Sequence, residues 1–379
     1  MALLYVGSML PTPLYPLYER QFGISELLVT AIYASYVVGN ITVLLLLGRL
    51  SDQVGRRPAS LLALAVVLAS TACFLVANSY YWLFAARVLN GFAVGLGAGA
   101  LTAWIAEIEP SGNKERASRL ATAGNLAGLA VGPVLAGLLA QYAPWPLRLC
   151  YLVYVAMAAC LMLLLGRVRD GVSTPVSSLR ELSLKPRIGV PKDIRLPFVS
   201  PAALAFAVFA LGGFYGALAP GLLTHQLHEN NVAIVGTVVT LFFGTGALVA
   251  ALTGQFKHRT SLLICTALLI AGLASLLVCE RESSMTWLLI ASIVTGSAMA
   301  LGFRSSLGMV NELAPSGQRA ELISAYLLVC YTANSVPVIA IGLLSRIFSV
   351  PLLHAEFAAL LPFLTVVACF VGMRYSPKS

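Results

Sequence analysis

Arg49, Asp52, Arg56 and Arg57 crowd into one short stretch, Gly48–Pro58 (GRLSDQVGRRP), between two long apolar runs. Opposite charges at this spacing do not make or break covalent bonds. They make ion pairs and charge-assisted hydrogen bonds, which can hold one helix end against another and let it go. Gly48 and Gly55 permit close approach and an unusual φ at a tight reversal. Asp52 can accept from free backbone N–H groups at a helix N-terminus, where the macrodipole favours an anion. Arg56 and Arg57 can reach acidic residues at neighbouring helix ends, and Glu107 is the natural candidate.

Two further arginines, Arg87 and Arg304, stand inside apolar runs. A buried charge of this kind is costly and is a functional hypothesis by default. Arg304 suits an anionic cargo, or equally an anchor to backbone carbonyls. Arg87 suits a structural or coupling role. His225 and His228 (HQLH) could bind a metal or sense pH, but a plain helix end is the simpler reading and no metal site is assigned. There is no G-x-x-x-x-G-K-[ST] phosphate loop, no H-E-x-x-H and no G-x-S-x-G. The expectation is therefore a protein that is not an enzyme, with no catalytic residues and no cofactor.

The elements that must position these groups are membrane helices. Of 379 residues, 59% are hydrophobic and only 10% charged, against roughly a quarter charged in globular chains. Apolar runs of about 20 residues, each long enough to cross a bilayer, recur at 1–18, 27–48, 59–78, 80–108, 117–141, 147–167, 200–224, 232–254, 261–279, 285–312, 320–345 and 351–373. The fold class expected is an all-α membrane protein with 12 transmembrane helices: an N-terminal six-helix bundle over 1–167, a polar linker over 168–198 and a C-terminal six-helix bundle over 199–379. The first run carries Pro11, Pro13 and Pro16 and barely spans. Either the first helix is short and broken or the chain starts upstream of Met1, and the second is the expectation.

The net charge of +9 is not a nucleic-acid signature, because no basic stripe interleaved with aromatics is present. Counting alternate loops from Gly48–Pro58 places 18 of the 24 Lys and Arg on one side. The positive-inside rule makes that side cytoplasmic, with both termini and the linker, in a multi-pass protein of the cell inner (plasma) membrane. Seven scattered cysteines have no metal spacing and read as packing residues.

Shifted by about 205 residues, the chain resembles itself. WLFAARVLNGFAVGLG (Trp82–Gly97) aligns with WLLIASIVTGSAMALG (Trp287–Gly302), EIEPSG (Glu107–Gly112) with ELAPSG (Glu312–Gly317), and Gly137 with Gly342. Two parallel six-span repeats are a secondary-transporter plan with the substrate site near mid-membrane. Features common to both halves, such as Glu107 and Glu312, serve shared mechanics. Arg87 and Arg304, which break the symmetry, are candidates for cargo.

On these residues the chain resembles the major facilitator superfamily. Gly48, Leu50, Ser51, Asp52, Gly55, Arg56 and Arg57 match its signature loop between the second and third helices. RVLNG (Arg87–Gly91) is similar to its fourth-helix R-x-x-Q-G, with Asn90 in place of Gln. GLAVGPVLAG (Gly128–Gly137) is similar to the fifth-helix motif of exporters, and Thr12–Ser25 to the start of bacterial drug-efflux-like members. The second-half loop, GQFKHR (Gly254–Arg259), lacks the acidic residue.

The resemblance implies two six-helix bundles related by a pseudo-two-fold axis, and a cytoplasmic latch of Gly48, Asp52, Gly55, Arg56, Arg57, Glu107 and Glu312. Glu312 would pair with Lys257, Arg259 or Arg319. Arg87, Asn90, Arg304, Tyr33, Tyr36, Tyr215 and Tyr331 are the substrate or coupling candidates. Gly91, Gly95 and Gly99, and Gly124, Gly128 and Gly132, form G-x-x-x-G ladders for helix packing, joined by Pro133 and Gly137. The function implied is proton-coupled export of a small organic or drug-like molecule by a monomer in the lipid bilayer. Import or exchange of an organic anion through Arg304, and a non-transporting receptor, are the alternatives. A proton carrier wants a mid-membrane carboxylate or histidine, and none stands out, since Asp52, Glu107 and Glu312 all fall at the cytoplasmic edge.

Overall fold

The structure, a computed structural model, describes residues 1–48, 50–168, 188–253, 258–315 and 318–375. Arg49, Gly254–Lys257, Ser316, Gly317 and residues 169–187 of the expected linker lie outside the described residues. Among those described there are helices and turns and no strand.

Among the described residues, ten helices are long and apolar enough to cross a membrane. They include α3 (Glu26–Thr42, continued by a π-helical turn to Leu47), α5 (Arg56–Leu75), α6 (Tyr80–Ile108) and α7 (Lys114–Tyr142). The rest are the helix that opens with α9 (Arg195–Gly213), then α11 (Val232–Leu252), α12 (His258–Glu282), α13 (Met285–Leu313), α14 (Arg319–Leu344) and α15 (Val350–Tyr375). The apolar α8 (Leu149–Leu165) is shorter, at 17 residues.

The first run is broken. It divides into α1 (Ala2–Met9), a 3-10 turn at Thr12–Leu14 and α2 (Tyr15–Phe22). Pro11 and Pro13 have no N–H to continue the ladder. Gly23, at φ 60°, ends α2 in the left-handed conformation.

Two boundaries depart from the sequence expectation for physical reasons. α5 starts at Arg56 rather than 59, because Gly55 at φ 107° turns the chain immediately before it and Pro58 fits a first helical turn. α9 is followed by π-helical turns at Phe214–Leu218 and Leu222–Gln226, with a single α turn, α10 (Ala219–Gly221), between them. Pro220 cannot donate to the carbonyl one turn back, and a wider turn accommodates the missing bond.

Two compact units emerge, and neither is a single stretch of chain. Unit 1 holds 1–24, 35–186 and 231–240; unit 2 holds 25–34, 187–230 and 241–379. In unit 1 the start of α11 packs on α7. Thr240 donates to the Ala130 carbonyl at 2.7 Å, and the Val232 amide to Gln141 Oε1 at 2.9 Å. A Cβ on Gly236 would stand 2.3 Å from the Pro133 carbonyl oxygen, and one on Gly137 would stand 2.7 Å from the Val232 carbonyl oxygen. In unit 2 the start of α3 packs on α14 in the corresponding way, with a Cβ on Gly342 only 2.5 Å from Thr30 Oγ1. Gly137 and Gly342 are the glycines that the internal repeat aligns, so both halves repeat a close helix approach, against a backbone carbonyl in one and a threonine side chain in the other.

The glycine ladder of α6 is shorter than its spacing suggests. A Cβ on Gly91 would meet the Tyr36 carbonyl oxygen at 1.9 Å, and one on Gly95 would meet Asn40 Oδ1 at 2.9 Å, but nothing lies within 4 Å of Gly99. Gly124 has only loose neighbours at 3.9 Å. We expect Gly236→Val to lower the thermal midpoint in a detergent melt, at a cost of about 1–3 kcal/mol from overpacking. Gly99→Ala should leave the midpoint unchanged or raise it slightly, since a helical glycine costs about 1 kcal/mol relative to alanine.

Candidate functional site

Arg56, the first residue of α5, gathers the charges of the signature stretch. Its Nε donates to Glu107 Oε1 at 2.9 Å, and its NH1 donates to Ser51 Oγ at 2.9 Å and binds the Asp52 carboxylate. The Arg56 side chain is 13% exposed, against 60% for Asp52 and 43% for Glu107. The guanidinium is thus the shielded centre of a network whose anions face solvent. Arg57 donates to the carbonyl of Gly166 at the end of α8.

Three expectations change here. Asp52 lies in the short helix α4 (Leu50–Val54) and spends its carboxylate on Arg56, four residues on, rather than on free backbone amides. Gly48 has an ordinary helical φ of −59°; its lack of a side chain matters because a Cβ would sit 3.0 Å from the Leu44 carbonyl oxygen. Glu312 pairs with His258, Nε2 to Oε1 at 3.3 Å. His258 opens α12 and Glu312 nearly closes its neighbour α13, whereas Arg259 is turned about 100° further round the helix. Arg319 donates instead to Asn311 Oδ1 at 3.0 Å.

Glu109, which the motif reading passed over, organises the loop after α6. It accepts from the Ser111 hydroxyl and the Asn113 amide, each at 2.7 Å. The Ser111 bond above all, with Asn113 and Arg116 beside it, holds its carboxyl below the usual carboxylate range.

Inside unit 1, Arg87 is buried. It donates from NH1 to the Ser8 carbonyl in the last turn of α1 at 2.7 Å, and its guanidinium lies over the Tyr36 ring at 5.1 Å. Tyr36 in turn accepts from Asn40 Nδ2 at 2.9 Å. Asn90, one turn from Arg87, is buried, and its Oδ1 has no hydrogen-bond partner among the described residues; the Tyr15 hydroxyl is in the same position. These are polar atoms that a solute or water could satisfy. The α7 motif seats α1 against this region: a Cβ on Gly128 or Gly132 would fall 2.2 or 2.5 Å from the carbonyl oxygens of Ala2 and Val6.

In unit 2 two of the aromatic candidates are engaged by neighbouring side chains. The Tyr33 hydroxyl and the Asn334 amide are bonded at 3.0 Å. Tyr215 stacks on Phe242 at 4.1 Å and accepts from Thr295 at 3.2 Å. Both tyrosines are fully buried, while Tyr331 is half-buried. Arg304 is half-buried and donates to the carbonyl of Thr253 at the end of α11. An open cleft of about 530 Å³ in unit 1, between Tyr18, Arg20, Phe74, Trp145 and Arg148, shares no residue with these candidates.

One pair escaped the sequence reading altogether. Glu280 and His354 are bonded to each other with side chains 5% and 2% exposed. His354 sits near one end of the apolar run 351–373, in the second turn of α15, and not at mid-membrane, where the sequence expectation found no carboxylate or histidine.

The Major Facilitator Superfamily model matches residues 1–333. The chain belongs to the major facilitator superfamily. The uncharacterized MFS-type transporter YceJ of Bacillus subtilis (strain 168) is 27% identical over 253 residues, which is 65% of this chain and 62% of that protein. The quinolone resistance protein NorA of Staphylococcus aureus (strain Mu50) is 24% identical over 139 residues, 37% of this chain and 36% of NorA. The chain thus spans less than two thirds of the length of these curated relatives. Among solved structures, a D-xylose-proton symporter superposes with a TM-score of 0.77 at 14% identity, covering 100% of this chain and 96% of the other. A peptide transporter, POT, gives 0.76 at 14%, covering 98% and 92%. At that identity the likeness concerns the fold.

The described helices are those of a multi-pass membrane protein, and members of this superfamily are transporters rather than enzymes. Its signature-loop network is a charge cluster on helix ends, and its second-half counterpart is a histidine–carboxylate contact. Double-mutant cycles on thermal stability should separate them. Arg56→Ala with Glu107→Ala should give a coupling of up to about 1 kcal/mol, typical of a partly exposed pair. That coupling should be flat between about pH 5.5 and pH 8, because a guanidinium keeps its charge. The His258→Ala and Glu312→Ala cycle should give a smaller coupling, because it removes a single contact at 3.3 Å between more exposed side chains.

Proposed function

We propose that this transporter exports a small organic, drug-like molecule by alternating access, in exchange for protons, with both termini on the cytoplasmic side of the inner membrane. The observation that carries transport is the Arg56 network. A guanidinium bonded at once to Asp52, Ser51 and Glu107 holds two helix ends through contacts that a change of state can trade away, as a bistable element requires. In this reading Gly48, Asp52, Gly55, Arg56, Arg57 and Glu107 form the cytoplasmic latch, and Glu312 with His258 a lesser one. Export is supported by the α7 glycine–proline motif and by similarity to a relative named for quinolone resistance.

The cargo contacts in this reading centre on Arg87, Asn90 and Tyr36, where Asn90 Oδ1 is buried and unsatisfied. In this reading Arg304 serves as an anchor, supported by its bond to the Thr253 carbonyl, and import of an organic anion through Arg304 is the alternative.

Thermal stabilisation of the purified protein by candidate solutes tests the choice, because a ligand that binds only the folded state raises apparent stability by about 2.7 kcal/mol at a hundred times its Kd. A lipophilic cation such as ethidium should raise the midpoint, Asn90→Ala should shrink that shift and Arg304→Ala should leave it intact. Stabilisation by organic anions alone, lost in Arg304→Ala, would return the organic-anion reading to first place.

A further inference from the structure

Glu280 is two residues from the end of α12 and His354 is in the second turn of α15, both at the helix ends opposite the basic loops. Exposure would be expected there, yet both side chains are almost fully enclosed. Nδ1 of His354 is bonded to Glu280 Oε1, and Nε2 has no hydrogen-bond partner among the described residues. The imidazole lies edge-on to Phe214 at 5.3 Å, and Phe214 stacks on Phe357 at 5.7 Å. Cys279 and Tyr215 are the buried titratable neighbours, and the Tyr215 hydroxyl already accepts from Thr295. Arg281, Glu282, Arg346 and Glu356 are exposed, and α13 brings no ionisable residue to this end. Among the described residues Glu280 has no other ionic partner.

This arrangement has a definite chemistry. A carboxylate beside a neutral imidazole leaves one uncompensated negative charge in a low-dielectric pocket, which is expensive. The neutral imidazole that suits it donates Nδ1–H to Glu280 and leaves a bare lone pair at Nε2. A proton from water added to that lone pair gives an imidazolium–carboxylate pair of zero net charge, and its return to water restores the first state. No other group need change, and the two states differ in net charge by one.

We propose that Glu280 and His354 are an exchangeable proton site of this transporter, with His354 Nε2 taking up the proton and Glu280 making the uptake favourable. The site adjoins a distortion of the helix backbone, since Phe214, against the imidazole, is the first residue of the π-helical turn Phe214–Leu218. At Gly216 in that turn a Cβ would meet the Tyr33 hydroxyl oxygen at 2.5 Å, and Tyr33 is held by Asn334. The use of the proton rests on the proton-coupled reading above; the existence of the site does not.

The first experiment is imidazole 15N NMR of the full chain in detergent across about pH 5 to 9, the range in which histidine responds to its surroundings. The chain has four histidines, so His354→Gln assigns the signal. Should that variant fail to fold, removing His225, His228 and His258 in turn assigns it by elimination. We expect the His354 signal to report proton exchange within this range in the wild type, to be altered in Glu280→Gln, and to be retained in Glu280→Asp. An imidazole that keeps one protonation state throughout, or one indifferent to Glu280→Gln, overturns the proposal.

The second experiment follows ethidium flux in proteoliposomes under an imposed pH gradient. The wild type should respond to the gradient, and His354→Gln should lose that response. A gradient response that survives in His354→Gln overturns the coupling role. A wild type indifferent to the gradient, with a titrating His354, overturns the proton-coupled reading and leaves the proton site standing.

Discussion

An α-helix ends with carbonyls that nothing within it can satisfy, and in a membrane water is scarce to satisfy them either. Three arginines here are placed on such ends: Arg87 on Ser8 in the last turn of α1, Arg57 on Gly166 just past α8, and Arg304 on Thr253 just past α11. Each contact solves two problems together. The guanidinium, which cannot shed its proton, finds strong acceptors and the negative end of a macrodipole, and the helix end gains donors. The broken first segment depends on this. Pro11 stops the ladder of α1 inside the protein, and Arg87 meets the end that the proline creates.

The same logic explains what could be read from the sequence. Helix positions followed from hydropathy because a bilayer leaves the backbone few choices. Glu107 was identifiable as the partner of Arg56 because both fall at helix ends on one side of the membrane. Arg304 was noticed as a charge in an apolar run, but whether it faces cargo or a carbonyl depends on where α11 ends, and spacing along α13 carries no information about that. Glu280 and His354 were invisible for a related reason. A glutamate beside Arg281 and Glu282 resembles a loop, and a single histidine hardly disturbs an apolar run. Only the packing of α12 on α15 encloses them.

Glycine spacing was informative about helix contacts and misleading about their extent. The i, i+4 pattern in α6 runs through Gly91, Gly95 and Gly99, but Gly91 meets a backbone, Gly95 meets the side chains of Asn40 and Val43, and a Cβ on Gly99 would meet nothing within 4 Å. Helix crossings diverge from a point of closest approach, so a ladder ends where the axes part. The contact shared by both halves, Gly137 on the start of α11 and Gly342 on the start of α3, has a carbonyl or a threonine hydroxyl where a side chain would otherwise stand. Contacts this close leave little room for a slightly shifted alternative, since packed cores tend to be bistable rather than continuously deformable.

The repeat also makes its departures informative. Glu107 and Glu312 are equivalent by sequence, yet one is held by a guanidinium and the other by an imidazole. Among the described residues both histidine–carboxylate contacts, His258 with Glu312 and His354 with Glu280, lie in unit 2, and the acidic residues with ionic partners in unit 1 are met by arginine. Arginine keeps its charge at any physiological pH, while imidazole does not. The two halves therefore share a scaffold but differ in the cations that hold their carboxylates, arginine in unit 1 and histidine in unit 2.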